Sequence, residues 1–155
     1  MGLQKSNENR NLNKPLLFLL FMPECIFCKI GKKEIPSYIV YEDKNCLAFL
    51  DIKPHAKGHT VVIPKKHGTL IFDFTDEDFQ LLMHGVKKTI EKINKKLNPD
   101  GFNVGWNSGS IAGQVVPHLH LHIFPRYADD GGGSMHSILK NPSRMNVEEV
   151  AKLLK

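Results

Sequence analysis

The chain has 155 residues, of which 41% are hydrophobic and 24% are charged, a composition typical of a single soluble globular domain. Lys and Arg outnumber Asp and Glu by 21 to 16, so the formal net charge is +5 at pH 7. This excess suits anionic ligands such as nucleotides, but it does not form the dense basic patch that would indicate binding of duplex nucleic acid.

The N-terminal residues carry no pattern of a folded element. Residues 2–14 are polar and rich in Asn and Lys, so we expect disorder there. Residues 14–21 (KPLLFLLF) contain an apolar run that is too short for a secretory signal or a membrane span. We interpret residues 1–21 as a disordered extension or a mis-assigned start, followed by one domain over residues 22–155. Without an export signal, we expect a reducing, cytoplasmic location and no membrane contact.

Five segments show the alternation and the β-branched or aromatic content of strands: residues 37–43, 46–51, 59–64, 102–107 and 118–124. A long helix is predicted between the third and the fourth. Thr75 can cap it, and apolar residues recur at steps of three and four from Phe79 to Leu97. A short helix follows Asn146, which forms a capping-box pattern with Glu149. These elements predict an α+β fold that is mostly antiparallel.

The last predicted strand contains three histidines at alternating positions, His118, His120 and His122. Side chains alternate between the faces of a strand, so the three rings would share one face while the apolar residues between them face the core. Imidazoles at this spacing start roughly 6–7 Å apart at the backbone, so two of them can contact one phosphate or one metal ion. Chance placement on a solvated face is disfavoured because surfaces use Lys, Glu and Thr far more often.

Three interpretations of this row remain open on the residues alone. His120 can be a nucleophile toward phosphorus, the row can be a catalytic zinc site, or the residues can bind nucleotides without catalysis. The preceding segment, which contains Asn107, Gly113 and Gln114, favours the first. Its glycines allow close backbone approach to an anion, and the two amide side chains can donate hydrogen bonds to phosphate oxygens.

Cys25 and Cys28 have the spacing of half a zinc site, since two thiolates separated by two residues can hold one tetrahedral ion. The alternatives are two idle thiols and a redox pair. A redox pair normally lies at a βα turn of a thioredoxin-like unit, which the sequence does not contain. Cys46 lies alone within a predicted strand, where a core position is expected.

The segment HLHLHI over residues 118–123 resembles the histidine triad (HIT) superfamily of nucleotidyl hydrolases and transferases. The similarity extends from Cys25 to Arg126 through CIFCKI, AFLDIKP, GHTVVIPKKH and AGQVVPH. The continuation HIFPRY is closer to the dinucleoside polyphosphate hydrolase and bacterial-type branches than to the phosphoramidase branch. The resemblance implies a HIT-like fold, in which a mostly antiparallel five-stranded sheet is joined by one long helix and by short N- and C-terminal helices. It also implies a homodimer.

The resemblance further implies the chemistry. His120 would attack the α-phosphorus of an adenosine-containing small molecule, and water would then release a nucleoside monophosphate from the covalent nucleotidyl-histidine. His122 would support the same phosphate. No organic cofactor is implied. One structural zinc ion would be held by Cys25, Cys28, His67 and His118.

The resemblance also implies a nucleotide pocket in which Asp51 binds the ribose and an apolar slot holds the base. The residues implied for this pocket are Ile26, Phe27, Ile30, Asp51, Ile52, His59, Asn107, Gly113, Gln114 and His122. From the residues alone, Asp51 suits a turn equally well, and Phe27 and Ile30 suit a core. Val115 replaces a serine of the phosphoramidase branch, which argues against efficient phosphoramidate cleavage. The segment DDGGGS after the last strand also departs from that branch.

Overall fold

The structure, a computed structural model, describes residues 25–141 and 143–155. The predictions for residues 1–21 fall outside these described residues. In chain order the helices are α1 (Ile26–Gly31), α2 (Asp76–Leu97) and α3 (Val147–Leu153). The strands are β1 (Ile39–Glu42), β2 (Cys46–Leu50), β3 (Thr60–Pro64), β4 (Gly101–Gly105) and β5 (Leu121–Arg126).

The five strands form one antiparallel sheet in the order β1-β2-β3-β5-β4. A tight turn joins β1 to β2, because the Asp43 carboxylate accepts hydrogen bonds from the backbone N–H groups of Asn45 and Cys46 at 2.7 and 2.8 Å. The strand β5 inserts between β3 and β4, which leaves β4 at an edge of the sheet. The predicted α+β fold with a five-stranded antiparallel sheet, one long helix and short helices near both ends is confirmed.

The long helix α2 begins where the sequence predicts it. The Thr75 hydroxyl accepts a hydrogen bond from the Asp78 N–H, and the Asp78 carboxylate accepts one from the Thr75 N–H, both at 3.1 Å. Asn98 ends the helix in the left-handed conformation, with φ of 47°. Asn146 and Glu149 cap α3 in the same reciprocal way. Among the described residues, no helix combines the length and the apolar character needed to cross a bilayer.

The sheet separates two apolar clusters. On one face it packs against α2, in a cluster formed by Cys46, Ala48, Val62, Leu82, Val86, Ile93, Leu119, Leu121 and Ile123. On the other face it packs against α1, in a cluster formed by Ile30, Leu47, Phe49, Val61 and Ile63. Since residues two apart in a strand share a face, the alternation of the sequence assigns each strand residue to one cluster or the other.

The histidine-rich segment follows this alternation, but its regular strand is shorter than predicted. Leu119, Leu121 and Ile123 face α2 as predicted. However, β5 begins at Leu121, so His122 is the only one of the three histidines that lies in the regular strand. Pairing between β3 and β5 stops at Val62 and Leu121, although β3 itself continues to Pro64. The Leu119 N–H donates to the Gly68 carbonyl, and the Pro64 carbonyl accepts from the His118 side chain, so these groups do not join the strand pairing.

Candidate active site and metal cluster

Strand pairing brings three predicted site residues together on the α1 face of the sheet. Val61 pairs with His122, and His59 precedes β3 on the same face as Val61. Asp51 follows β2, and its N–H donates to the His59 carbonyl at 3.0 Å. The His59 Nε2 lies 2.9 Å from the His122 Nδ1 and 3.8 Å from the Asp51 Oδ2. His59 therefore bridges the strand that carries His122 and the loop that carries Asp51.

The hydrogen bonds determine which nitrogen of His122 carries its proton. The backbone N–H of His55 donates to the His59 Nδ1 at 3.3 Å, so that nitrogen is an acceptor. The proton of the neutral His59 ring is then on Nε2, which donates to the His122 Nδ1 at 2.9 Å. The His122 proton must consequently be on Nε2. The His122 ring therefore offers an N–H donor at Nε2, since its Nδ1 is already engaged by His59.

The opposite arrangement holds for His120, which is buried with 6% exposure. Its Nδ1–H donates to the His118 carbonyl at 2.6 Å, which leaves the lone pair on Nε2. The His120 and His122 ring centroids are 5.1 Å apart. The edge of Phe27 packs against His120 with centroids 5.0 Å apart. The site thus places a nucleophilic nitrogen and a hydrogen-bond donor side by side.

Burial keeps the rings of His59 and His122 neutral. Burial, followed by the proximity of His120 and His59, lowers the pKa of His122 to about 4. Burial also lowers the pKa of His59, although the Asp51 carboxylate opposes the shift. Both rings are therefore uncharged near pH 7, as the network of single N–H donors requires.

The loop before the histidines is held by the side chain of Gln114. Its Oε1 accepts from the Gly109 N–H at 2.8 Å, and its Nε2 donates to the carbonyls of Thr69 and Val116 at 2.9 and 3.3 Å. Both amide hydrogens of Gln114 are thus engaged by the backbone. The predicted contact of this amide with phosphate would require one of them to be released.

The backbone of the same loop turns sharply at Gly113, which has φ of 94°, a conformation that glycine adopts without strain. The amide of Asn107 donates to the Gly113 carbonyl over 3.5 Å, a long hydrogen bond, and it is exposed. Asn107 is therefore freer than Gln114 to reach an anion. The phosphate-binding roles of both residues stay predictions.

The residues of the predicted base slot differ in burial. Phe27 is half-buried and packs edge-on against Phe49 as well as His120, with centroids 5.8 and 5.0 Å apart. Ile30 lies in the apolar cluster beneath α1. Ile26 and Ile52 are exposed, the latter by 86%. Asp51 accepts a hydrogen bond from the Lys53 N–H through Oδ1, so it forms the turn that the sequence allowed and still presents a carboxylate next to His59.

The predicted metal ligands also converge. The ligand atoms of Cys25, Cys28, His67 and His118 all lie within 4.8 Å of one another, so this group could hold a metal ion. The His67 and His118 Nδ1 atoms are 3.3 Å apart. The Cys28 Sγ lies 3.3 Å from the His67 Nδ1 and 3.6 Å from the His118 Nδ1. The Cys25 Sγ lies 3.4 Å from the His118 Nδ1.

His118 is oriented for this cluster by a second contact. Its Nε2–H donates to the Pro64 carbonyl at 2.9 Å, so the unprotonated Nδ1 points toward the thiols. Burial lowers the pKa of His118 to about 4, which keeps the ring neutral as a ligand must be. Burial, together with Cys25, raises the pKa of the Cys28 thiol to about 11, and a bound cation would reverse that effect.

The described residues that could hold an ion fall into two groups, and neither unites the three histidines of the row. His118 belongs to the cysteine cluster, whereas His122 belongs to a group with Asp51 and His59. His55 is a contributor that the sequence did not reveal. It acts through its backbone N–H, and a main-chain donor leaves no signal in the residue type.

The comparisons with known proteins agree with this geometry. Residues 32–129 match the sequence profile of the HIT domain. A HIT-like protein of Methanocaldococcus jannaschii is 48% identical over 131 residues, which cover 84% of this chain and 98% of that protein. An adenosine 5′-monophosphoramidase of Schizosaccharomyces pombe is 43% identical over 108 residues, which cover 70% of this chain and 78% of that protein.

A solved structure supports the same relationship. The crystal structure of a member of the HIT family from Bacillus subtilis superposes with a TM-score of 0.75 at 41% identity, and the match covers 85% of this chain and 93% of that chain. The profile match spans the sheet, the long helix and the whole histidine row. The chain therefore belongs to the HIT domain family.

Proposed function

We propose that the protein is a nucleotide hydrolase or nucleotidyl transferase that breaks the bond between the α-phosphorus of an adenylated compound and its leaving group. The observation that carries this proposal is the pair of complementary tautomers: an Nε2 lone pair on His120 beside an Nε2–H on His122. A lone pair can attack phosphorus, and an N–H donor can stabilise the charge that develops on a phosphate oxygen.

The reaction has two steps on this assignment. In the first, the His120 Nε2 forms a bond to the α-phosphorus, and the bond to the leaving group breaks with its electron pair. The His118 carbonyl accepts the Nδ1–H of His120 and stabilises the positive charge that the ring acquires. In the second, water attacks phosphorus, the phosphorus–nitrogen bond breaks, and the water proton passes to solvent. The nucleoside monophosphate leaves and His120 is restored.

The nucleoside half of the substrate is assigned to the side of His122 where Asp51 lies. A carboxylate there can accept hydrogen bonds from two ribose hydroxyls, and His59 holds the neighbouring imidazole. Adenosine is favoured because a relative that is 43% identical is named an adenosine 5′-monophosphoramidase. Adenylated amines and dinucleoside polyphosphates are therefore the two substrate classes to compare.

The cysteine cluster is assigned to one structural zinc ion. A tetrahedral zinc with Zn–S of about 2.3 Å and Zn–N of about 2.05 Å separates two nitrogens by roughly 3.3 Å, and a sulfur from a nitrogen by roughly 3.6 Å. The corresponding separations here are 3.3 Å and 3.3 to 3.6 Å. Four protein ligands close the coordination sphere, so the ion would stabilise the attachment of α1 to the sheet and take no part in the reaction.

The direct test is a rate comparison on a panel that contains an adenosine phosphoramidate and diadenosine polyphosphates. We expect turnover of at least one class, and we expect His120→Asn to abolish it while adenosine monophosphate still binds. His84→Asn, a substitution on the exposed side of α2, is the matched control and keeps full activity. A protein that binds adenosine monophosphate tightly but turns over no member of the panel would be a binding module instead.

A homodimer is part of the same proposal. Its support is the family membership together with the position of β4 at an edge of the sheet, where its backbone can pair with another strand. Light scattering during gel filtration tests it, with twice the mass of the chain as the expected result.

A further inference from the structure

The segment that follows β5 is tied down by Arg126. The Arg126 guanidinium donates to both carboxylate oxygens of Asp130 at 2.6 Å and to the Gly133 carbonyl at 2.8 Å. It also donates to the side chain of Asn103 on β4. Asp130 in turn accepts from the N–H groups of Tyr127 and Gly132 at 3.0 and 2.8 Å. The chain is thus turned back over the face of β4 and β5 that carries His122.

The returning segment ends beside the candidate active site. Gly105 pairs with His122, and side chains of directly paired residues share a face with Cβ atoms about 5 Å apart. Gly105 has no side chain, and the Met135 methyl lies 3.4 Å from the position that a Cβ would occupy there. Met135 therefore fills the space next to His122 that a side chain on β4 would otherwise take.

The two sides of His122 are consequently different in character. Toward β3 lie His59 and Asp51, which are polar and are assigned above to the nucleoside half of the substrate. Toward β4 lies the thioether of Met135, which is 53% exposed. In-line attack expels the leaving group on the side of phosphorus opposite the His120 Nε2. Because the β3 side of His122 is assigned to the nucleoside, the space that remains for the leaving group is over β4 and against Met135.

We propose that residues 130–138 form a strap that makes the leaving-group wall of the active site. Met135 is its contact residue, and the Arg126–Asp130 pair positions it. This inference rests on the proposed function. Both oxygens of Asp130 engage Arg126, so that guanidinium is not available to a second phosphate chain. At its contact residue, Met135, the wall is apolar and adaptable, which favours an organic leaving group with apolar surface over a polyphosphate.

The test compares two adenylates that share the adenosine monophosphate half: the unsubstituted phosphoramidate, which releases ammonia, and the tryptamine phosphoramidate, which releases a large apolar amine. Met135→Ala should lower the ratio of kcat/KM for the large over the small substrate by about fivefold or more, since it removes an apolar wall. Asp130→Asn should lower the same ratio by releasing the strap. The double variant should lose no more than Asp130→Asn alone, because both changes act on one contact.

Met83→Ala is the matched control, because Met83 is exposed on α2 and should leave the ratio unchanged. An unchanged ratio in Met135→Ala, an equal loss for both substrates, or additive losses in the double variant would overturn the proposal.

A second readout separates this inference from the proposed function. The Met135 methyl resonance should shift when a non-hydrolysable tryptamine analogue binds, and should shift much less with adenosine monophosphate alone. If the wild-type protein turned over neither these adenylates nor a diadenosine polyphosphate, the proposed function would be refuted. Turnover of the diadenosine polyphosphate alone would refute the apolar leaving-group wall. An unmoved Met135 methyl in the presence of the bound analogue would refute the strap.

Discussion

Replacing His59 by Phe tests the tautomer network that defines the proposed mechanism. His59 is 2% exposed and stacks on Phe124 with ring centroids 4.2 Å apart, so a phenyl ring preserves the shape and the stacking. It removes the N–H that donates to the His122 Nδ1. The His122 proton can then move to Nδ1, which leaves a lone pair at Nε2 where the phosphate needs a donor.

The size of the loss follows from one hydrogen bond. A buried group deprived of its partner costs about 1–3 kcal/mol. If that energy is lost in the transition state, kcat/KM falls by about 5- to 150-fold. His59→Gln should lose less, because its side-chain amide can still donate to His122.

Two measurements decide the outcome. Steady-state kinetics with an adenylated substrate should show the order wild type, His59→Gln, His59→Phe. Nitrogen-15 NMR of the imidazoles should show the His122 proton on Nε2 in the wild type. His84→Phe, on the exposed side of α2, is the control for replacing an imidazole by a phenyl ring. The reasoning is refuted if His59→Phe keeps kcat/KM within twofold of wild type, or if wild-type His122 already carries its proton on Nδ1.

Three further predictions concern stability and metal binding. Gly85→Ala places a Cβ 2.1 Å from the Cys46 Sγ and should destabilise the fold by about 1–3 kcal/mol in denaturant titrations. The loss should shrink in a Cys46→Ala background, and an equal loss in both backgrounds would contradict the packing argument. Chelation of the bound metal, or Cys28→Ser, should lower the thermal midpoint of unfolding. Metal should also bind more tightly at pH 8 than at pH 6, because the Cys28 thiol, with a pKa raised to about 11, must release its proton. A thermal midpoint that does not change with metal would count against a structural ion. In the metal-free protein, stability should fall as the pH drops from about 6.5 toward 4, because His118 and His122, with each pKa lowered to about 4, stay neutral while the unfolded chain takes up protons. An unfolding midpoint that is flat over this interval would show that burial does not hold these rings neutral.

Much of the fold could be predicted because local rules and tertiary packing agree. The Thr75 cap and the apolar stripe of α2 locate the helix, and both features recur in the structure as contacts. The strands were readable from their alternation. The start of β5 was not, because its pairing with β3 stops at Leu121 before β3 itself ends, and the Pro64 carbonyl accepts a hydrogen bond from the side chain of His118 instead. Leu119 donates its N–H to the Gly68 carbonyl at 2.7 Å instead of to a strand.

The candidate site was predictable where the chemistry resides in residue types. The spacing of Cys25 and Cys28 indicated half of a metal site from the residues alone, the resemblance supplied His67 and His118, and the ligand atoms of all four converge. The link between His55, His59 and His122 was not predictable, since it runs through a backbone N–H and a strand pairing between distant segments. The position of Met135 next to Gly105 was also not predictable from the sequence, because it depends on the hydrogen bonds by which Arg126 turns the following chain back over the sheet.

The central claim is that the His120 Nε2 forms a bond to phosphorus, and trapping that bond is its most direct test. Mixing the protein with an adenylated substrate, quenching in acid within milliseconds and mapping the modified peptide by mass spectrometry should reveal one adenylyl group on His120. The group should appear in a burst before steady turnover and should be absent from His120→Asn. Turnover that persists in His120→Asn, or an adenylyl group found only on another residue, would contradict the account.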